Sequence, residues 1–480
     1  MNGSHSAGVA AAGASALLSP SARSSGAPDS RGRRRLRRAR NDTVDRPVLA
    51  DRQTAGLALL FLLALALRVV WIVAADVEPN FEDDTGRYQA LAESLADGHG
   101  YVLFNDDPTA FVPVGYPATL AAVYSVVGNH YEAALALNAL AGAATAVLTF
   151  FLASQVAGKR AAWLAGIAVA VFPSQVFFSS LTMTEVPYTA LALTIILALL
   201  AMIRGSMPRW PVLLAFGFLL GYASLMRGET VLLPVIAATF IGARGGSWST
   251  AGRWLALVLI GMAAAIAPWT VRNMVEMRAF VPLSTHAGVT LWVGHHEGAT
   301  GRFVFADELF AQVEEELVKE GGEPDAVDFE TRANQVGVRE SVQFALSNPL
   351  EEVRLTGVKL WSMFNNDREA IYWNETHGSR PFLDQEPRSR LLTLSDVTYF
   401  FLLASFVIGV LLWLSEPNVS GAFLLAVLAY WTAAHVMFIG DARYHFSMVP
   451  IMAVFATIAW TAAGAWGRQA AQRFGVMGSD

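Results

Sequence analysis

Two adjacent carboxylates, Asp83 and Asp84, stand just past the first long apolar segment, within FEDDTGRYQALAESL at 81–95. With Glu82 they put three acidic residues in a row at the edge of a stretch built to leave water. Carboxylates crowded at such a boundary repel, and lost hydration raises the pKa of at least one. A carboxylate so placed can serve as general base toward an acceptor hydroxyl. The same oxygens could instead hold a divalent cation, Mg or Mn, or simply cap the following helix. Arg227, Arg272 and Arg443 each fall at the end of an apolar segment. A guanidinium offers a planar fork of donors that suits a phosphate, while a lone arginine at that depth can also just snorkel to head groups. Glu185 in SLTMTEVPY and Glu229 in RGET occupy similar boundary positions, suited to ordering a substrate or pairing with an arginine. His295, His296 and Glu297 are consecutive and cannot all point to one centre, so no zinc site is expected there. Lys359 opens the aromatic helix end KLWSMF; with Tyr372 and Trp373 it could meet a sugar or a lipid, or join the interfacial belt.

The elements that must position these residues are membrane spans. Only 15% of the 480 residues are charged and 54% are hydrophobic, against roughly 25% charged in soluble domains. Several continuous apolar runs approach the ~20 residues that cross a bilayer. They do not alternate as barrel strands do. The expected fold class is therefore an all-α polytopic membrane protein. The absence of cysteine removes disulfides, thiol nucleophiles and cysteine metal sites.

Residues 1–50 hold RGRRRLRRAR, seven arginines in ten positions, and read as a disordered basic cytosolic tail. About ten spans follow, near 54–76, 131–156, 161–178, 186–203, 211–226, 231–243, 254–271, 395–414, 421–438 and one ending near 465. Pro173 should break the third. Lys159, Arg160, Arg204, Arg209, Arg244 and Arg253 fall on the side of the arginine tail, which sets the sidedness. The first external loop is 77–130, with a short amphipathic helix over Tyr88–Leu95 and an interfacial or dipping segment over 113–128. Residues 273–391 form an external loop region with helices at 306–323 and 330–364, the latter broken at Pro349. Residues 392–480 close the chain with the last spans. No ionisable site residue is expected in mid-span, which favours interfacial chemistry over alternating access.

The order of these pieces resembles the GT-C superfamily of membrane glycosyltransferases, most closely the family 39 type of protein mannosyltransferases and the lipid A aminoarabinose transferase. The pieces are DDTGRYQALAESLADGHGY at 83–101, VPVGYP at 112–117, LNALAGAATAV at 137–147, FPSQVFFSSLTMTEVPY at 172–188 and LLGYASLMRGET at 219–230. They continue with APWTVRNMVEMRAFVPLSTHAG at 267–288, LWVGHHEGATG at 291–301, NPLEEVRLTGVKLW at 348–361 and GDARYHFSMVP at 440–450. His286, His295 and His296 stand where relatives often carry Asn, and VGYP replaces the more frequent Pro-Gly-Tyr-Pro.

The resemblance implies a GT-C bundle with its core at 51–272 and an active site at the outer membrane boundary. It implies a polyprenyl-phosphate-linked sugar donor and inversion at the anomeric carbon. The catalytic acid of the first loop would be Asp84, with Asp83 as the alternative, and Arg443 would meet the donor phosphate with Arg227 and Arg272. The expected substrate contacts are Tyr88, Glu185, Glu229, His286, His295 and Lys359. The acceptor would be a lipid, glycan or protein hydroxyl. Membrane lipids are expected partners, nucleic acid is not, and no cofactor is required beyond the Mg or Mn alternative. The location implied is a bacterial cytoplasmic membrane with both termini cytosolic. The alternatives are a lipid or polysaccharide transporter or flippase, and a ligase of whole lipid-linked glycans.

Overall fold

The computed structural model describes residues 30–80, 83–103, 106–245, 247–320, 325–376 and 383–473. Glu82 and residues 1–29 of the expected tail lie outside them. The chain forms a small N-terminal unit, Met1–Gly56, and one large unit, Leu57–Asp480, which holds everything that follows. Among the described residues the structure is helical, with one isolated bridge between Val102 and Pro108.

Helix α1 (Ser30–Ala75) includes the arginine run, where the sequence led us to expect no regular structure. Its apolar part, Arg52–Ala75, exposes Leu59, Leu62, Val70 and Val73, the surface a lipid-facing span should have. The first loop carries α2 (Asp84–Ala96) and α3 (Gly115–Val127). Leu91 and Ala92 are the buried stripe of α2. Gly115 opens α3 where a Cβ would strike the Leu225 and Met226 backbone, so glycine permits the close approach. Then come α4 (Tyr131–Ser154), α5 (Gly158–Val171) and α6 (Pro173–Phe177). The third span bends by 56° between Val171 and Pro173, as a residue without an amide N–H requires. After α7 (Glu185–Ile203) come α8 (Trp210–Met226), α9 (Leu233–Gly245) and α10 (Trp248–Glu276). Gly217 of α8 and Gly261 of α10 each meet the other helix's backbone, the small-residue contact that lets spans pack closely.

The long segment between α10 and the closing helices holds α11 (His286–Gly294), α12 (Asp307–Lys319), α13 (Ala326–Ser347), α14 (Pro349–Phe364) and α15 (Glu369–Thr376). Pro349 separates α13 from α14, as the sequence predicts. The chain closes with α16 (Gln385–Trp413), α17 (Val419–Val436), a short 3-10 turn at Ala442–Met448 and α18 (Val449–Arg473).

Among the described residues seven helices are long and apolar enough to cross a membrane, or eight with the bent pair. The two further spans expected from sequence are shorter: α8 has 17 residues and α9 has 13. At 1.5 Å per residue they measure about 25 and 20 Å. One charged residue that the sequence reading did not single out stands within a span. Arg68 lies inside the first span and is fully buried. Its NH1 donates to the Ala64 carbonyl at 2.9 Å and to the Ala170 carbonyl at 3.3 Å. Ala170 belongs to the last turn of α5, whose carbonyls the break at Pro173 releases, so Arg68 serves that broken helix end.

Side-chain ties define two ends of the bundle. At one, Trp71 near the end of α1 donates to the Phe177 carbonyl, and Gln175 of α6 donates to the Phe446 carbonyl ahead of α18. At the other, Arg204 meets Gln155, and Asn418 donates to the Val156 carbonyl. Asp84, Glu185, Arg227 and Arg443 all lie at the first.

Candidate active site

Asp83 and Asp84 divide their work. Asp83 is the N-cap of α2: its Oδ1 accepts from the Thr85 amide at 2.8 Å and the Thr85 hydroxyl at 2.7 Å. Asp84 is the first helical residue and faces inward. Its Oδ1 takes Arg87 NH1 at 3.1 Å and its Oδ2 lies 3.4 Å from Arg443 NH1. Burial alone would raise the Asp84 carboxyl; Arg443 and then Arg87 outweigh it and hold the group below its ordinary value. It still keeps 27% of its side chain exposed.

From Asp84 a chain of alternating charge runs through the helix ends. Arg443 precedes α18 and brings its Nε to 3.6 Å from Glu185 Oε1, at the start of α7. The same oxygen takes Arg227 NH1 at 3.0 Å from the end of α8. Arg227 Nε lies 3.4 Å from Glu229, whose other oxygen meets His435 Nε2 at 2.8 Å. Burial pushes the Glu229 carboxyl up, but Arg227 and His435 overcome it and hold it at about 2. Aromatic rings fix the guanidinium planes. Arg443 lies 4.7 Å over Trp373, and Arg227 lies 5.6 Å from the Tyr188 ring. Arg443 Nε is buried and completes no hydrogen bond. A buried, unsatisfied guanidinium donor beside an open carboxylate is suited to an anionic ligand.

Residues 112–271 match the family model described as dolichyl-phosphate-mannose-protein mannosyltransferase. Glu185, Arg227 and Glu229 fall inside that stretch, Asp84 and Arg443 outside it. Among solved structures, the chain is similar to the archaeal oligosaccharyltransferase AglB from Archaeoglobus fulgidus in complex with an inhibitory peptide and a dolichol-phosphate. The identity is 14% and the TM-score 0.50, over 89% of this chain and 52% of that one. The fold is of the GT-C type. A second similar structure is ArnT from Cupriavidus metallidurans bound to undecaprenyl phosphate, at 16% identity and TM-score 0.39, over 86% of this chain and 79% of that one. The chain thus spans about half the length of the archaeal enzyme. No curated protein sequence matches it.

Within the GT-C frame the remaining expected residues separate. Tyr88 packs edge-on against Tyr116 at 5.2 Å; burial first, and then the charges of Asp84 and Glu185, disfavour its ionisation. His286 lies beside Asp84 and packs at a tilt against Phe111, ring centres 4.5 Å apart; burial pushes its imidazole down to about 4, so it is neutral at pH 7. Arg272 has another task. Its guanidinium donates to the Thr109 carbonyl at 2.7 Å and the Tyr101 carbonyl at 2.8 Å, clamping the first loop to α10. His295 and Lys359 also turn to each other. Lys359 Nζ lies 2.9 Å from His295 Nε2, and His295 Nδ1 meets Glu352 at 2.9 Å. Lys359 is 1% exposed, and burial lowers its ammonium to about 8. This group joins α11 to α14 and stands apart from the Asp84 chain.

The sequence reading passed over Arg87, His435 and Glu369; it named Trp373 as a sugar or lipid contact, and here that ring lies against Arg443. Arg87 was findable, because three residues after Asp84 is one helical turn. Glu369, near Asp441 and Arg443, is pushed up to about 7, by burial first and then by Asp441.

Asp83→Ala is expected to cost about 1 kcal/mol of stability, the usual worth of an N-cap. Its transfer rate should stay within about tenfold of the parent, because the loss reaches Asp84 only through helix placement. Thermal melting alongside turnover checks both.

Proposed function

We propose that this chain is an inverting glycosyltransferase. It moves a sugar from a polyprenyl-phosphate donor to an acceptor hydroxyl at the outer face of a bacterial cytoplasmic membrane. The observation that carries the reading is the meeting of Asp84 and Arg443 at 3.4 Å across 359 residues of chain. It sets a carboxylate base beside a buried cation at one end of a helical bundle. A lipid-phosphate donor agrees with the dolichol-phosphate held by the archaeal protein of the same fold.

The chemistry follows from the charges. The acceptor oxygen attacks the anomeric carbon from the face opposite the phosphate. As that bond forms, the carbon–oxygen bond to phosphate breaks and Asp84 takes the hydroxyl proton. The leaving phosphate goes from one negative charge to two, so fixed cations stabilise the transition state more than the ground state. Arg443 and Arg227 are the cations in place, with Glu185 between them holding both forks in register. Tyr88 and His286 line the same space and would orient the sugar or acceptor.

The donor set does not suit a divalent ion between Asp83 and Asp84. Both Asp84 oxygens face guanidinium groups, and Asp83 Oδ1 is engaged by Thr85. Among the described residues no three His, Asp or Glu side chains converge. No step is routed through a metal.

The outer-face placement rests on charge sidedness. Lys159, Arg160, Arg204, Arg209 and Arg244 cluster at or near the end of the bundle opposite Asp84, and basic residues favour the cytosolic side. Both termini then lie in the cytosol. Purified protein given a labelled polyprenyl-phosphate monosaccharide and an acceptor hydroxyl should form a glycoside of inverted configuration. Movement of intact donor across a bilayer with no new glycoside would make it a flippase. Transfer of whole glycans alone would make it a ligase.

A pH prediction also follows. In the free protein Arg443 and Arg87 keep Asp84 ionised throughout the neutral range. A bound phosphate draws Arg443 to itself, and a carboxylate that loses a neighbouring cation rises in pKa. The acid limb of kcat should therefore lie at higher pH than the acid limb of kcat/KM, which reports the free enzyme. The kcat/KM profile should be flat from pH 5 to 8. A midpoint near 7 in kcat/KM would instead assign the base to Glu369.

A further inference from the structure

A cavity of about 700 Å³ opens between the start of α5 and the far end of α18, away from Asp84. Lys159, Arg160 and Trp163 line it from α5, and Trp460 and Thr461 from α18. None of these residues belongs to the site described above.

The local chemistry is one-sided. Helix α5 begins without a side-chain cap, since Ala157 stands at the N-cap position. Its first turn therefore presents open amide groups and the positive end of the helix dipole. The next residues are Lys159 and Arg160, both exposed, and among the described residues neither meets a carboxylate. Two cations beside the positive helix end repel it and each other, and an anion seated there relieves both.

Behind the basic rim the walls are aromatic and held in place. Trp163 packs on Phe150 with ring centres 4.7 Å apart. Trp460 stacks on Phe401 at 5.7 Å and donates its indole N–H to the Ser405 hydroxyl at 2.8 Å. Trp460 and Thr461 belong to the apolar span Ala442–Trp466, so this wall lies at membrane depth. A free inorganic anion would use the rim and leave the aromatic slot empty. An amphiphile with an anionic head and acyl chains fills both.

We propose that this cavity binds an anionic phospholipid of the leaflet opposite the active site. Its phosphodiester sits against Lys159, Arg160 and the start of α5, and its acyl chains lie along Trp163 and Trp460. The site depends only on the membrane placement of the bundle and not on the transfer reaction.

Native mass spectrometry of the detergent-purified full chain tests it, with phosphatidylglycerol, phosphatidylcholine and sodium phosphate as probes. One phosphatidylglycerol should be retained at least about tenfold more strongly than phosphatidylcholine. Lys159→Gln with Arg160→Gln should abolish the preference, while Arg209→Gln, a basic residue outside the cavity, should not. Thr461→Trp fills the slot without touching the charges and should also lower retention, which diffuse attraction to a basic surface would not. Melting curves matching the parent confirm that the variants are folded. Equal retention of both lipids overturns the proposal. So does undiminished phosphatidylglycerol binding in the double variant or in Thr461→Trp, or displacement of the lipid by inorganic phosphate at equal concentration.

Discussion

Asp84→Asn should lower sugar transfer by about 10²- to 10⁴-fold, the range that a positioned general base contributes. The substitution keeps the shape of the side chain and one acceptor oxygen, so α2 should hold its place. It removes the charge that now occupies Arg87 and Arg443. Donor affinity should therefore be unchanged or slightly higher, because Arg443 no longer divides its donors between carboxylate and phosphate. Single-turnover transfer and equilibrium binding of a labelled donor separate the two effects. A rate within threefold of the parent would take the proton-accepting role away from Asp84. Glu369, with its carboxyl pushed up to about 7, would be the next carboxylate to test.

The second large effect belongs to Arg443. Replacing it by Gln should reduce kcat/KM by about 10²- to 10³-fold, as loss of one transition-state donor does elsewhere. Here KM for the donor should rise as well, because the same fork meets the phosphate before and during transfer. The replacement also leaves Asp84 and Glu185 facing each other with one cation fewer, and breaking a buried pair commonly costs about 3–5 kcal/mol. Arg443→Lys keeps the charge and loses the planar fork. Lys should therefore restore folding more fully than it restores turnover. Equal recovery of melting temperature and rate would mean that Arg443 is structural and that the phosphate lies elsewhere.

The residues that meet in this site were legible where they ended an apolar segment. Asp84, Glu185, Arg227, Glu229 and Arg443 all stand at such ends, and helix packing brings those ends together. Arg272 stands in the same kind of place yet turns to the backbone of Tyr101 and Thr109. That outcome depends on how the first loop folds, which the composition around Arg272 does not encode. His295 and Lys359 illustrate the same limit, since their pairing spans 64 residues of intervening loop. Arg68 was visible and was passed over: a single ionisable residue in LALALRVVWIV is itself a signal. The all-helical fold and its GT-C type were readable from continuous apolar runs and the order of motifs. The short lengths of α8 and α9 were readable too, because RGET at 227–230 and the Gly-Gly-Ser run at 245–247 interrupt the apolar composition where the helices end.

The contact between Asp84 and Arg443 joins the loop after the first span to the start of the last span. A ribosome adding about 5–20 residues per second makes Arg443 tens of seconds after Asp84. Throughout that interval Asp84 is present and the guanidinium that meets it is not yet made. The charge pair on which the proposed transfer depends is therefore complete only once the final helix is made.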